Sequence, residues 1–109
     1  MPVDQMGMQK RFLLEIEQGI RETNQKIIHE RIPPVTAENF LPFANSVARL
    51  RARYLEEAFR FSKKTGDDPI DDSEVAELRR QRVNYEEARD AFEALRHAID
   101  RGYVEIDLK

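Results

Sequence analysis

The sequence predicts an all-α fold: an elongated antiparallel up-down-up three-helix bundle with a short extended C-terminal tail. Three observations carry this expectation. Apolar residues recur at seven-residue steps in three series: Met6, Leu13, Ile20 and Ile27; Phe40, Val47, Tyr54 and Phe61; Leu78, Tyr85, Phe92 and Ile99. Seven residues make two helical turns, so each series lines one side of a helix. The series are separated by Pro33–Pro34 and by the stretch "GDDPIDD" at 66–72. Of the 109 residues, 36% are charged and only 4 are glycine and 5 proline, a balance that suits long solvated helices better than sheets. The expected organisation is a bundle over residues 1–102, with helices at about 5–32, 37–65 and 72–101, and a tail over 103–109. Each helix is then about 40–45 Å long. Short loops force neighbouring helices to run antiparallel.

Helix one is expected to begin behind Asp4 as N-cap. It must stop near Arg31–Ile32, because Pro33 disfavours helical geometry in the residue before it. Ile16 joins its seam, in coiled-coil fashion. Helix two is expected to be capped by Thr36, with Val35 and Phe40 spaced as a hydrophobic staple. Phe43 and Leu50 extend its seam. Lys63 and Lys64 suit the negative end of its dipole, and Gly66 suits a left-handed cap. Before helix three, Asp71 and Glu74 have the spacing of a capping pair. The aspartates of this turn do not make a calcium loop of the EF-hand type. Counted from Asp68, the third position is Ile70, and no glycine follows where the turn needs one. Ala88 and Leu95 extend the third seam, which ends at Gly102.

The tail "YVEIDLK" alternates, with Val104, Ile106 and Leu108 on one side and Tyr103, Glu105 and Asp107 on the other. That is strand periodicity, and no other segment shows it. Such a tail either lies along the bundle, or pairs with another copy or with a partner's sheet edge.

Two surfaces stand out as candidate sites. Helix two carries Leu41, Ala48, Ala52, Leu55 and Phe59 as a second stripe beside its seam. With Ala44 and Ala58 the apolar arc covers roughly half of the helix circumference. Either the helix is wedged between the other two, or the stripe awaits another subunit, most economically in a two-fold homodimer. The second surface is a polar level. Gln9, Glu57 and Gln81 occupy inward heptad positions, Tyr54 and Tyr85 form the adjoining level, and Arg82 flanks it. Antiparallel connection places Glu57 opposite Gln81, with Gln9 or Lys10 at the same height. A layer of this kind either fixes helix register or holds a small polar ligand, in which case Tyr54, Glu57, Gln81 and Tyr85 would bind it.

Other chemistry finds little support. There are 0 cysteines, so thiolate nucleophiles, thiolate metal ligands and disulfides are out of reach. No glycine-rich phosphate loop or nucleophile-elbow serine occurs. His29 and His97 point away from the seams, and neither has the Glu-x-x-His spacing of di-metal bundles. The stretch Arg53–Pro69, "RYLEEAFRFSKKTGDDP", resembles the helical chorismate mutases in its arginine, its later lysine and its proline turn. The resemblance ends there: Ser73, Glu74 and Val75 stand where that family has an arginine-glutamate pair, and Pro33–Pro34 interrupt its long first helix. It implies no activity here. The net charge is −3, with six basic and three acidic residues over 36–65, then seven basic and thirteen acidic over 66–109. Side-by-side packing would balance this asymmetry, and nucleic acid is a poor fit to an acidic chain without interleaved aromatics. No apolar run approaches the ~20 residues that span a bilayer, and the start lacks the layout of a secretory signal. The expectation is a cytoplasmic, non-enzymatic helical protein with no catalytic residue, metal or cofactor. It acts by association, as a homodimer or an adaptor or assembly factor. The polar-level ligand site is the alternative, and nucleic-acid binding by the helix-two arginines comes third.

Overall fold

The computed structural model describes residues 4–64 and 69–108. It is an all-α fold of three helices: α1 (Gln5–Arg31), α2 (Ala37–Ser62) and α3 (Asp72–Asp100). No strand is present among the described residues. The chain divides into two compact units. One comprises Met1–Thr36 and His97–Lys109, the other Ala37–Arg96.

Local chemistry sets the helix ends. The Asp4 carboxylate accepts a hydrogen bond from the Gly7 backbone N–H at 2.9 Å, which satisfies one of the orphan donors of α1. At the other end Ile32, just before Pro33, has extended backbone (φ −121, ψ 120). Pro42 lies inside α2. It has no N–H to offer the carbonyl one turn back, and its own carbonyl accepts from the Ser46 hydroxyl at 3.2 Å. α2 ends at Ser62, short of the expected 65. Lys63 and Lys64 follow it in a tightened turn, their N–H groups bonding to Arg60 and Phe61 carbonyls at 3.3 and 3.2 Å. Gly66, Asp67 and Asp68, assigned above to a cap and a turn, lie outside the described residues.

α3 begins with a reciprocal cap. The Glu74 N–H donates to Asp71 Oδ1 at 2.8 Å, and the Asp71 N–H donates to Glu74 Oε1 at 3.3 Å. Ser73 Oγ donates to the same Asp71 oxygen at 2.7 Å. These donors hold the Asp71 carboxyl below its ordinary range, the Ser73 hydroxyl contributing most. One turn on, Arg80 grips Glu77 at 2.7 and 3.0 Å, and Gln81 adds a third bond at 2.9 Å. Arg80 first and Gln81 second hold Glu77 at about 2, from an ordinary 4.5.

In the unit of residues 37–96, α2 and α3 pack closely along their seams. Phe40 stacks on Phe92 with ring centroids 4.9 Å apart, and Phe43 meets the same ring edge-on at 5.4 Å. Tyr54 stacks on Tyr85 at 6.2 Å. Lys64 pairs with Glu74 at 3.0 Å. These contacts climb α2 while descending α3. The expected seam residues Phe40, Phe43, Leu50, Tyr54 and Phe61 of α2, and Leu78, Tyr85, Ala88, Phe92 and Leu95 of α3, are half-buried, and Val47 is buried.

The seam of α1 behaves differently. Met6, Leu13, Ile16, Ile20 and Ile27, expected in a shared core, are exposed, and so are Gln9 and Lys10. A seven-residue period shows which side chains share a face. It does not show that the face is covered.

Within the unit of residues 1–36 and 97–109, α3 ends in a Schellman arrangement. The Tyr103 N–H reaches the Ala98 carbonyl at 2.8 Å, and the Gly102 N–H reaches Ile99 at 3.0 Å. Gly102 takes the left-handed conformation this requires, with φ +77. Its carbonyl accepts from Gln25 Nε2 of α1 at 3.1 Å. The tail then pairs inside its own chain. Val35 donates to the Glu105 carbonyl at 2.8 Å and accepts from the Asp107 N–H at 2.9 Å, a parallel bridge opposite Ile106. Val104 is buried, at 3% exposure. Val35 is extended after two prolines, so a second strand-like residue was hidden in the connection between α1 and α2.

Two outcomes follow. Gly102→Ala should lower stability by roughly 1–2 kcal/mol in denaturant unfolding, because a side chain is strained in the left-handed region; the nearest side-chain atom to an added Cβ, Gln25 Nε2 at 3.5 Å, presents no clash. Glu77 is more acidic folded than unfolded. Its contribution is therefore complete above pH 4.5 and lost as pH falls toward about 2. Acid titration of thermal stability should steepen in that window, and Glu77→Gln should flatten the slope there.

Candidate functional site

The outward side of α2 is built by positions that the α3 contact leaves out. Leu41, Ala48 and Leu55 share one line of the helix and Ala52 and Phe59 the next, while Val47 and its neighbours face α3. All five are exposed, and the three large ones are between 57% and 63% accessible. Lys63 Nζ stands 5.5 Å from the Phe59 ring centroid, at the end of the stripe near the loop. Ala44 and Ala58, between stripe and seam, are half-buried.

The polar level lies at the α2–α3 contact. Tyr85 is its centre. Its hydroxyl accepts from Arg51 Nε at 3.0 Å, and its ring carries the Arg51 and Arg89 guanidinium groups at 5.2 and 5.4 Å from the centroid. Arg51, chiefly through that hydrogen bond, and Arg89 lower the Tyr85 phenol below its ordinary 10.0. Arg89 also holds Asp90 at 3.1 Å. Glu57, with its side chain 14% exposed, pairs with Arg60 of its own helix at 3.6 Å. Gln81 donates to Glu77 of its own helix. Tyr54 and Tyr85 therefore meet across the helices, whereas Glu57 and Gln81 each find a partner along their own. Arg82 likewise pairs within α3, with Glu86 at 3.3 Å.

Arg51 and Glu77 were not singled out by the heptad pattern, whereas Arg89 falls at a position flanking the seam, where pairing with an acid of a neighbouring helix is expected; its acid, Asp90, is instead the next residue of α3. Helical spacing is the signal for Arg89 and Glu77: Arg89 lies one turn after Tyr85, and Glu77 one turn before both Arg80 and Gln81. Arg51 reaches across the helices, and only packing reveals it. His29 and His97 are exposed, and Glu93 pairs with Arg96 at 3.2 Å. Among the described residues, no group of three or more histidine, cysteine, aspartate or glutamate side chains is placed to hold a metal ion. Among the same residues, no helix is long and apolar enough to cross a membrane.

No protein-family model matches the chain, and no curated protein or solved structure matches it. Function must be argued from its own surfaces. At the tyrosine–arginine level the Tyr85 hydroxyl already accepts from Arg51 within the α2–α3 pair. The outer face of α2 offers apolar side chains that are not.

Alkaline spectrophotometric titration should find Tyr85 ionising below 10.0, and Arg51→Gln should move that midpoint upward. Tyr85→Phe identifies the signal by removing it.

Proposed function

We propose that the chain is a non-enzymatic helical protein that acts by association in the cytoplasm, as a homodimer or as an adaptor or assembly factor. The observation that carries this reading is the exposed stripe Leu41, Ala48, Ala52, Leu55 and Phe59. Three large apolar side chains stand on one face of α2, separated by alanines that let a partner helix approach closely. Covering such side chains drives association, and an aromatic anchor such as Phe59 supplies a disproportionate share of it.

One observation favours a second reading. The Glu57 side chain is only 14% exposed, and it lies one turn along α2 from Tyr54, whose ring stacks on Tyr85. A small polar ligand would use these groups with Gln81.

Sedimentation over a range of concentrations tests the first reading. Leu55→Asp with Phe59→Asp should abolish association through this face, whether with a second copy or a protein partner. Both side chains are exposed, so helicity should persist and stability should change by no more than about 0.5 kcal/mol per site. Unfolding of the double variant would show instead that the stripe is core. Glu57→Leu separates the second reading: a more stable protein with unaltered association marks a purely structural level.

A further inference from the structure

We propose that α1 is a second, independent association surface, and that its occupant is α1 of another copy of this chain, lying antiparallel across a two-fold axis. This goes beyond the α2 face and uses none of its residues.

The first observation is a bare apolar face. Phe12, Leu13, Ile16 and Ile20 are exposed on one side of α1, and Met6 and Ile27 continue it. Met8, Gln9, Phe12 and Leu13 line an open hollow on the same stretch. No residue of α1 is buried. Gln25, which anchors the C-terminal segment through Gly102, lies roughly opposite this stripe. Residues 8–23 are all exposed. A helix in water gains most of its stability from packing an amphipathic face, and a partner on this stripe supplies it.

The second observation is charge, and it selects both partner and direction. Lys10 and Glu17 flank the stripe on one edge, and neither has an ion pair among the described residues. Place Leu13 against Ile16 of an antiparallel copy. Lys10 then meets the copy's Glu17, and the symmetry repeats the pair. Sliding the copy by one heptad in either direction puts Lys10 on Lys10 or Glu17 on Glu17, both repulsive. Parallel pairing puts Lys26 beside Arg31 and Glu17 against Phe12. Of these four arrangements only the first is free of like-charge contacts.

The third observation concerns the opposite edge. In the same register Phe12 lies over Gly19 of the copy, again twice. An added Cβ at Gly19 would have nothing within 4 Å. A glycine in an exposed helix interior costs stability relative to alanine, and nothing within this chain requires one. A ring seated there by a second copy does. The overlap runs from Met6 to Thr23, about 27 Å of helix.

Analytical ultracentrifugation of the full chain, in wild type and in the Leu55→Asp/Phe59→Asp background, tests this. Association should persist in the α2 double variant. Lys10→Glu and Glu17→Lys should each weaken it roughly tenfold at low salt, by turning two attractions into two repulsions. Lys10→Glu with Glu17→Lys in one chain should restore it to within about threefold. Phe12→Ala should weaken it more than tenfold without lowering the unfolding midpoint of the dilute monomer. The proposal is overturned if the α2 double variant is monomeric at all concentrations, a result that leaves the α2 reading standing. It is overturned if the charge reversals have no effect or the double reversal fails to rescue. It is overturned if Phe12→Ala destabilises the dilute monomer, which would mean that the chain covers this face itself. Ready disulfide formation by Gln5→Cys, clean in a chain with 0 native cysteines, would show parallel pairing and overturn the antiparallel one.

Discussion

The stacking of Phe40 on Phe92, with Phe43 set edge-on to the same ring, ties the start of α2 to the last third of α3. Aromatic pairs of this kind contribute about 0.5–1.5 kcal/mol beyond the area they bury, and their geometry is more demanding than that of aliphatic contacts. One α3 ring meets two α2 rings, so sliding α2 along α3 would lose both contacts. The Tyr54–Tyr85 stack and the Lys64–Glu74 pair then follow in step toward the loop. Once this register holds, the rotation of α2 is set as well. Val47 turns inward, and Leu41, Leu55 and Phe59 turn out. The proposed association face is a consequence of the aromatic contact on the other side of the same helix.

The polar groups near that contact are arranged by short-range geometry. Arg51 and Arg89 enclose the Tyr85 ring, while Glu57, Gln81 and Arg82 find partners one turn away on their own helices. Ion pairs at this degree of exposure add little stability each. Their effect is to occupy the donors and acceptors that a ligand would need. No buried side-chain polar atom among the described residues lacks a partner. The Tyr85 hydroxyl and the Gln81 amide are satisfied within the α2–α3 pair.

At the other unit, backbone hydrogen bonds take the place of rings. The left-handed turn at Gly102 redirects the chain, Gln25 receives it, and Val35 closes a two-bond bridge around Ile106. The Glu105 carbonyl and the Asp107 N–H of the tail are thus both used inside the chain. The first turn of α1 is held by the Asp4 cap, and its large apolar side chains Met6 and Met8 are exposed.

Much of this was legible in the residues alone. Helix number, the stop at Pro33, the Asp4 cap, the Asp71–Glu74 reciprocal cap and the sets of residues that share a seam on α2 and on α3 all depend on neighbours within one or two turns, and such neighbours are written consecutively. The seam of α1 carries the same seven-residue signal as the other two, yet Leu13 and Ile16 stand in water while Phe40 and Phe92 meet. The pairing of Val35 with the tail, the guanidinium of Arg51 on Tyr85 and the exposure of Phe12 were likewise undecided by pattern. Periodicity is a property of a single helix and determines which side chains share a face. Whether anything covers that face depends on the energy of contacts between residues far apart in the chain, and only the tertiary structure decides it.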